Sequence, residues 1–227
     1  MFWTSLIFIL ITVLLFIAMK KVYEKWNSPF LIPVLTTTFV MILLLLFTHI
    51  PYEKYMAGGK WIEELLGPGV VALAYPLYLY RESLKRHLVS IIVGVFTGTL
   101  VGVLTVFLFA SAIVTNKRII LSMLPKSVTT PVAMEIARLT HGSPALASVF
   151  VIIAGISGAV FAPRWFNWLR LKTPLARGLG IGTSSHAIGT SKAMEFGEET
   201  AAYSSVAMGL SCIIASVLVP LFAAWFL

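Results

Sequence analysis

Two polar clusters stand out in an otherwise apolar chain of 227 residues. One reads Gly182-Thr183-Ser184-Ser185-His186-Ala187-Ile188-Gly189-Thr190 and runs on into Ser191 and Lys192. A glycine-rich turn that leads into a helix presents backbone N–H groups, and such groups together bind an anion. Gly182 and Gly189 would let the backbone approach a ligand, Thr183, Ser184, Ser185 and Thr190 add hydroxyl donors, and His186 can gain or lose a proton near neutral pH. The plainer alternative is that the hydroxyls bond carbonyls one turn back while His186 packs against a neighbouring helix. Three hydroxyl residues beside the imidazole favour the binding reading.

The second cluster is Lys126-Ser127-Val128-Thr129-Thr130-Pro131, followed by Glu135. Pro131 biases the residues before it away from helical backbone, so Ser127, Thr129 and Thr130 are expected to offer polar groups to a substrate. Glu135, in so apolar a chain, should be paired or line water. The alternative here is an interfacial loop in which Lys126 and Glu135 are simply solvated. His186 and Glu135 are the two proton-coupling candidates.

Other chemistry is excluded residue by residue. All nine acidic residues are Glu, which removes Asp-based Mg²⁺ sites and EF-hands. Cys212 is the single cysteine, so neither a disulfide framework nor a cysteine metal cluster is expected. No HExxH or GxSxG motif occurs, and the chain is expected to be no enzyme and to need no cofactor or metal. Gly178-x-Gly180-x-Gly182 echoes a dinucleotide loop, but nothing around it can build the βαβ unit that loop requires. The net charge of +8 sits in short segments between apolar runs, a pattern for loops at anionic lipid and not for nucleic acid.

The elements that must hold these clusters are membrane helices. Hydrophobic residues make up 59% of the chain and charged residues 11%, with a mean hydropathy of +0.94; a soluble domain carries about 25% charged residues. Uncharged runs at 1–19, 26–52, 88–116, 139–163 and 200–227 each meet the length of a spanning helix. Two further stretches are short and interrupted. Residues 65–80 contain Gly67, Pro68, Gly69 and Pro76, and residues 178–191 contain Gly178, Gly180, Gly182 and Gly189. Broken backbone at membrane depth survives only inside protein or along a water-filled cavity. The fold class expected is an all-α polytopic membrane protein of about seven spans, one transmembrane domain over 1–227, with two broken elements.

A shift of 115 residues sets Ser28-Pro29 on Ser143-Pro144, Gly94 on Gly209 and Phe107 on Phe222. It suggests repeats at 26–112 and 144–227 joined by a re-entrant or partial element at 118–142. Segments 20–26, 81–87 and 164–177 hold ten of the 17 basic residues against two Glu, which sets them on the cytoplasmic side. Residues 178–195 would then cross outward and 201–226 return, opposite in direction to 88–112. An inverted repeat with one broken element per half is a recurring transporter plan.

Residues 126–135, 149–163 and 176–190, with Gly67-Pro68-Gly69 and Pro76 in 67–77, resemble the LrgB/CidB family over nearly the whole chain. Bacterial members of that family are described as antiholin-like or holin-like proteins that influence murein hydrolase activity and autolysis. They usually act beside a small LrgA/CidA-type membrane partner. Chloroplast relatives move glycolate and glycerate, and some bacterial pairs are linked to pyruvate uptake. The resemblance implies a multi-pass protein of the bacterial inner membrane, a homo-oligomer, and either a small-monocarboxylate carrier or a regulator of autolysis. An anion-binding broken helix suits the first of these.

Overall fold

The computed structural model describes residues 2–26, 31–65, 68, 71 and 74–226, without the side chains of Phe2, Trp3, Ala74 and Pro76. The described residues are helices and short connections, as an all-α membrane protein requires, and four helices are long and apolar enough to cross a bilayer. Gly67, Gly69 and the Ser28-Pro29 pair lie outside the described residues. By packing, the chain divides into two units, Met1–Ala72 and Leu73–Leu227.

The first unit contains α1 (Phe2–Trp26), α2 (Pro33–Phe47) and α3 (Tyr52–Glu64). Gly58 of α3 abuts the Ser5 carbonyl and Phe8, while Tyr55 reaches Thr12 at 3.3 Å, so α1 and α3 run antiparallel.

The second unit contains both polar clusters. Its elements are α4 (Ala74–Leu79, holding Pro76), α5 (Arg81–Arg86), α6 (Leu88–Ile113), α7 (Lys117–Met123), α8 (Thr130–Leu139), α9 (Pro144–Trp168), α10 (Pro174–Ala193) and α11 (Glu198–Phe226). Asn116 caps α7, Pro125 follows it, and Thr129 with Pro131 opens α8. The chain then comes home: the Ser143 amide donates to Ser122 Oγ at 2.7 Å. Residues 117–142 are therefore a hairpin that enters and leaves at one end of the unit. Its apolar side packs on Val103 and Val106 of α6, Ala147 and Val151 of α9, and Ala215 and Val219 of α11.

Residues 174–196 form a second hairpin at the opposite end. The helical run of α10 breaks at His186, whose φ of 40° and ψ of −137° reverse the chain. A Cβ on Gly189 would lie 3.3 Å from the carbonyl of Ile181, eight residues back, and the Arg177 guanidinium sits 5.9 Å from the Phe196 ring. In a straight helix residues 177 and 196 would be about 28 Å apart. Phe166, at the C-terminal end of α9, also stacks edge-on against Phe196 at 5.2 Å.

This corrects the expected crossing of 178–195. The segment turns back because Gly178 and Gly182, read as helix breakers, instead stay helical and press onto α11, while His186 supplies the break. One consequence is that α6 and α11 run in the same direction, not in opposite directions. Tyr203 lies beside His87, and Phe222 meets Phe107 at 5.0 Å.

A repetition with different boundaries is visible within the second unit. A span followed by a hairpin occurs twice, as 88–142 and 144–196, with α6 and α9 antiparallel and the hairpins entering from opposite ends. A shift of 60 residues sets Val89 on Val149, Ile92 on Ile152, Gly98 on Gly158, Thr130 on Thr190 and Ala133-Met134-Glu135 on Ala193-Met194-Glu195. The same shift lays Lys126 on His186, so the two hairpin tips correspond.

A direct expectation follows for sidedness. Lys172→Cys and Glu198→Cys, each on a Cys212→Ala background, should react with an impermeant thiol reagent from the same face of the membrane. Reaction from opposite faces would show that 174–196 crosses.

Candidate anion site between two hairpin tips

Close packing of small residues brings the tips together. Gly94 and Gly98 on α6 face the first limb of α10, with Leu179 3.1 Å from a Cβ placed at Gly94 and Thr183 Oγ1 3.4 Å from one at Gly98. Gly182 rests on the Ser204 carbonyl and Ala207 of α11. Glycines at such spacing let backbones approach where lipid supplies no hydrophobic drive. On α9, Gly155 leaves room for the imidazole of His186, whose Nε2 would lie 2.6 Å from a Cβ there, and Gly158 leaves room for Ser185.

His186 is 3% exposed, and its Nε2–H donates to the Val151 carbonyl at 2.8 Å, which ties the hairpin tip to the middle of α9. Thr190 Oγ1 donates to the His186 carbonyl at 2.9 Å and meets Ser204 Oγ at 2.9 Å. Residues 182–185 are helical, so their amides are not the open anion cradle the glycine pattern suggests. Hydroxyls take that place.

A cavity of about 370 Å³ lies between α9 and α10. One helical stripe of α9 lines it, from Ala154 through Ser157, Gly158 and Phe161 to Trp165 and Leu169, a length of about 22 Å. Lys126, Ser184 and Ser185 stand among its polar lining. Ser184 Oγ donates to the Gly180 carbonyl at 2.7 Å and meets Ser185 Oγ at 2.9 Å. With the Ser184 proton so used, the contact between the two hydroxyls is donated by Ser185, whose proton reaches a ligand by turning away from Ser184. Lys126 is half-buried and its Nζ donates to Ser127 Oγ at 3.1 Å. None of the ion pairs among the described residues involves it. On the other face of the tips, Ser127, Thr183, Thr99 and Ser211 ring a void of about 10 Å³, the room of one water.

Of the residues singled out in the sequence, Ser184 and Ser185 therefore join the cavity, while Ser127 and Thr183 meet in the small void. Thr129 starts α8 and touches Cys212 Sγ at 3.7 Å, and Thr130 and Pro131 form the first turn of that helix. Gly182, Gly189, Thr190 and His186 build the hairpin behind the cavity wall. Glu135 lies on the exposed face of α8 and pairs with Arg138, away from the cavity. Ser157 is a polar lining residue outside both sequence clusters, and Lys126, named in the second cluster, was not among its expected substrate-binding residues. The signal for Lys126 was its place in the tip of a hairpin with no acid nearer in sequence than Glu135.

Fold and site together define an α-helical membrane protein with two opposed hairpins meeting at a largely apolar cavity that carries a lysine and serine hydroxyls. The profile of the LrgB-like family matches residues 12–225, and the chain belongs to that family. It is 47% identical over 217 residues to a Bacillus subtilis (strain 168) protein, "Uncharacterized protein YxaC", covering 96% of this chain and 94% of that one. "Holin-like protein CidB" of Staphylococcus aureus (strain Mu50) is 38% identical over 216 residues, covering 95% and 94%. YwbG of Bacillus subtilis (strain 168) is 37% identical over 210 residues, covering 92% and 93%. No solved structure matches the chain.

Proposed function

We propose that the protein is a carrier that moves a small organic anion, of the monocarboxylate class, across the bacterial cytoplasmic membrane. The observation that supports this most is the meeting of two hairpin tips, entering from opposite ends, beside a cavity with hydroxyl donors and a cation. Discontinuous helices of this kind place a polar site at mid-membrane without exposing broken backbone to lipid. In this reading the basic segments 81–87 and 164–177 face the cytoplasm, and the hairpin at 174–196 is the cytoplasmic one. The chain carries out no catalysis, and it works as a homo-oligomer beside a small LrgA/CidA-type membrane partner.

A second reading has its own support: the relatives named "Holin-like protein CidB" favour a role in autolysis over the carrier reading. Purified protein in proteoliposomes separates the two. A carrier gives saturable, counterflow-competent uptake of a labelled monocarboxylate. Leak that is linear in concentration and indifferent to solute would leave the holin-like reading standing alone.

A further inference from the structure

We infer that the ammonium of Lys126 and the hydroxyl of Ser185, backed by Ser184, form a binding site for one carboxylate group of a small organic acid. Lys126 comes from the tip of one hairpin and the two serines from the tip of the other, and all three line the same cavity. The described lining holds no carboxylate and no second cation, and Lys126 enters none of the ion pairs among the described residues. A half-buried cation without a counter-charge is costly in an apolar surrounding and gains most from an anion. Ser185 is 1% exposed, so its hydroxyl is held in place to complete the pair. Beyond these groups the walls are Phe161, Trp165 and Leu169, which receive an uncharged body.

The inference draws on the carrier reading only for why an anion should visit the site, and it is tested by binding. Purified protein is titrated with lactate and with uncharged lactamide, reading both the fluorescence of the tryptophans, Trp165 among them, and thermal protection. Lactate should bind, and lactamide should bind at least tenfold more weakly, as expected when one charge-assisted contact is lost. Lys126→Gln should weaken lactate by roughly 10- to 100-fold, while Lys126→Arg, which keeps the charge, should weaken it by less and shows that the position tolerates exchange. Ser185→Ala should act in the same direction as Lys126→Gln.

Equal binding of lactate and lactamide, undiminished binding by Lys126→Gln, or no binding of lactate to the wild type at tens of millimolar would each overturn the site. Charge-dependent binding without saturable transport would sink the carrier reading and leave the site intact. Saturable transport unaffected by Lys126→Gln would do the reverse.

Discussion

Gly158→Val is expected to unseat the α10 hairpin and to destabilise the protein by about 3 kcal/mol, with loss of lactate binding. A Cβ at 158 would overlap Ser185 Oγ and stand 2.6 Å from Ser185 Cβ. Rotating the serine hydroxyl away relieves only the first contact, so α9 and α10 must separate. Even Gly158→Ala, which on an exposed helix would gain about 1 kcal/mol in propensity, should lose stability here. The check is a double-mutant cycle by thermal unfolding in detergent. Ser185→Gly should recover much of what Gly158→Ala loses, since residues in direct contact are coupled. Additive effects would mean that the two positions do not touch.

The second large effect concerns His186 and reverses an ordinary rule. Glycine within a helix is about 1 kcal/mol worse than alanine, yet His186→Gly should be the milder of the two replacements by about that amount. The backbone at 186 has φ 40° and ψ −137°, a conformation that costs a residue with a Cβ on the order of 1–3 kcal/mol and glycine almost nothing. Both variants lose the Nε2–H bond to the Val151 carbonyl, so that loss cancels in the comparison. His186→Asn, which tolerates positive φ and keeps a donor, should fall closest to the wild type. Unfolding measurements that rank alanine above glycine would place 186 in regular helix and remove the hairpin turn.

Much of the fold could be read from residue types. Long apolar runs gave α6, α9 and α11 to within a few residues, and basic segments 81–87 and 164–177 do lie at one end of the second unit, tied there by Ser83 Oγ donating to Glu199 Oε1 at 2.9 Å and by Phe196 on Phe166. That a Pro-interrupted polar stretch at 118–142 is no lipid-facing span was legible too, and there the chain folds back on itself as a hairpin.

The direction of 178–195 was not. Acidic residues carry little weight in setting sidedness, so Glu195, Glu198 and Glu199 do not fix the side on which the segment ends. Glycine has two uses, as a breaker and as a small surface, and local sequence does not say which applies. Gly182 serves the second because Ser204 lies against it, a contact 22 positions away in sequence. For the site, the serines were evident as donors. Lys126 was not, since a lysine in a loop is solvated by default and only the cavity shared with Ser185 gives it another role.

The hairpin at 174–193 also bears on how the protein is made. Its limbs are rich in Gly, Ser and Thr, and its buried face is covered by α11 through Thr200, Ser204 and Ala207. α11 is synthesised after the hairpin it covers. Until residues 198–226 have entered the bilayer, residues 174–193 lack their cover, and so polar a segment gains little from lipid alone. Insertion of the last span and folding-in of the hairpin are therefore one event, and a ribosome that stops short of residue 198 releases a chain whose hairpin has nowhere to dock.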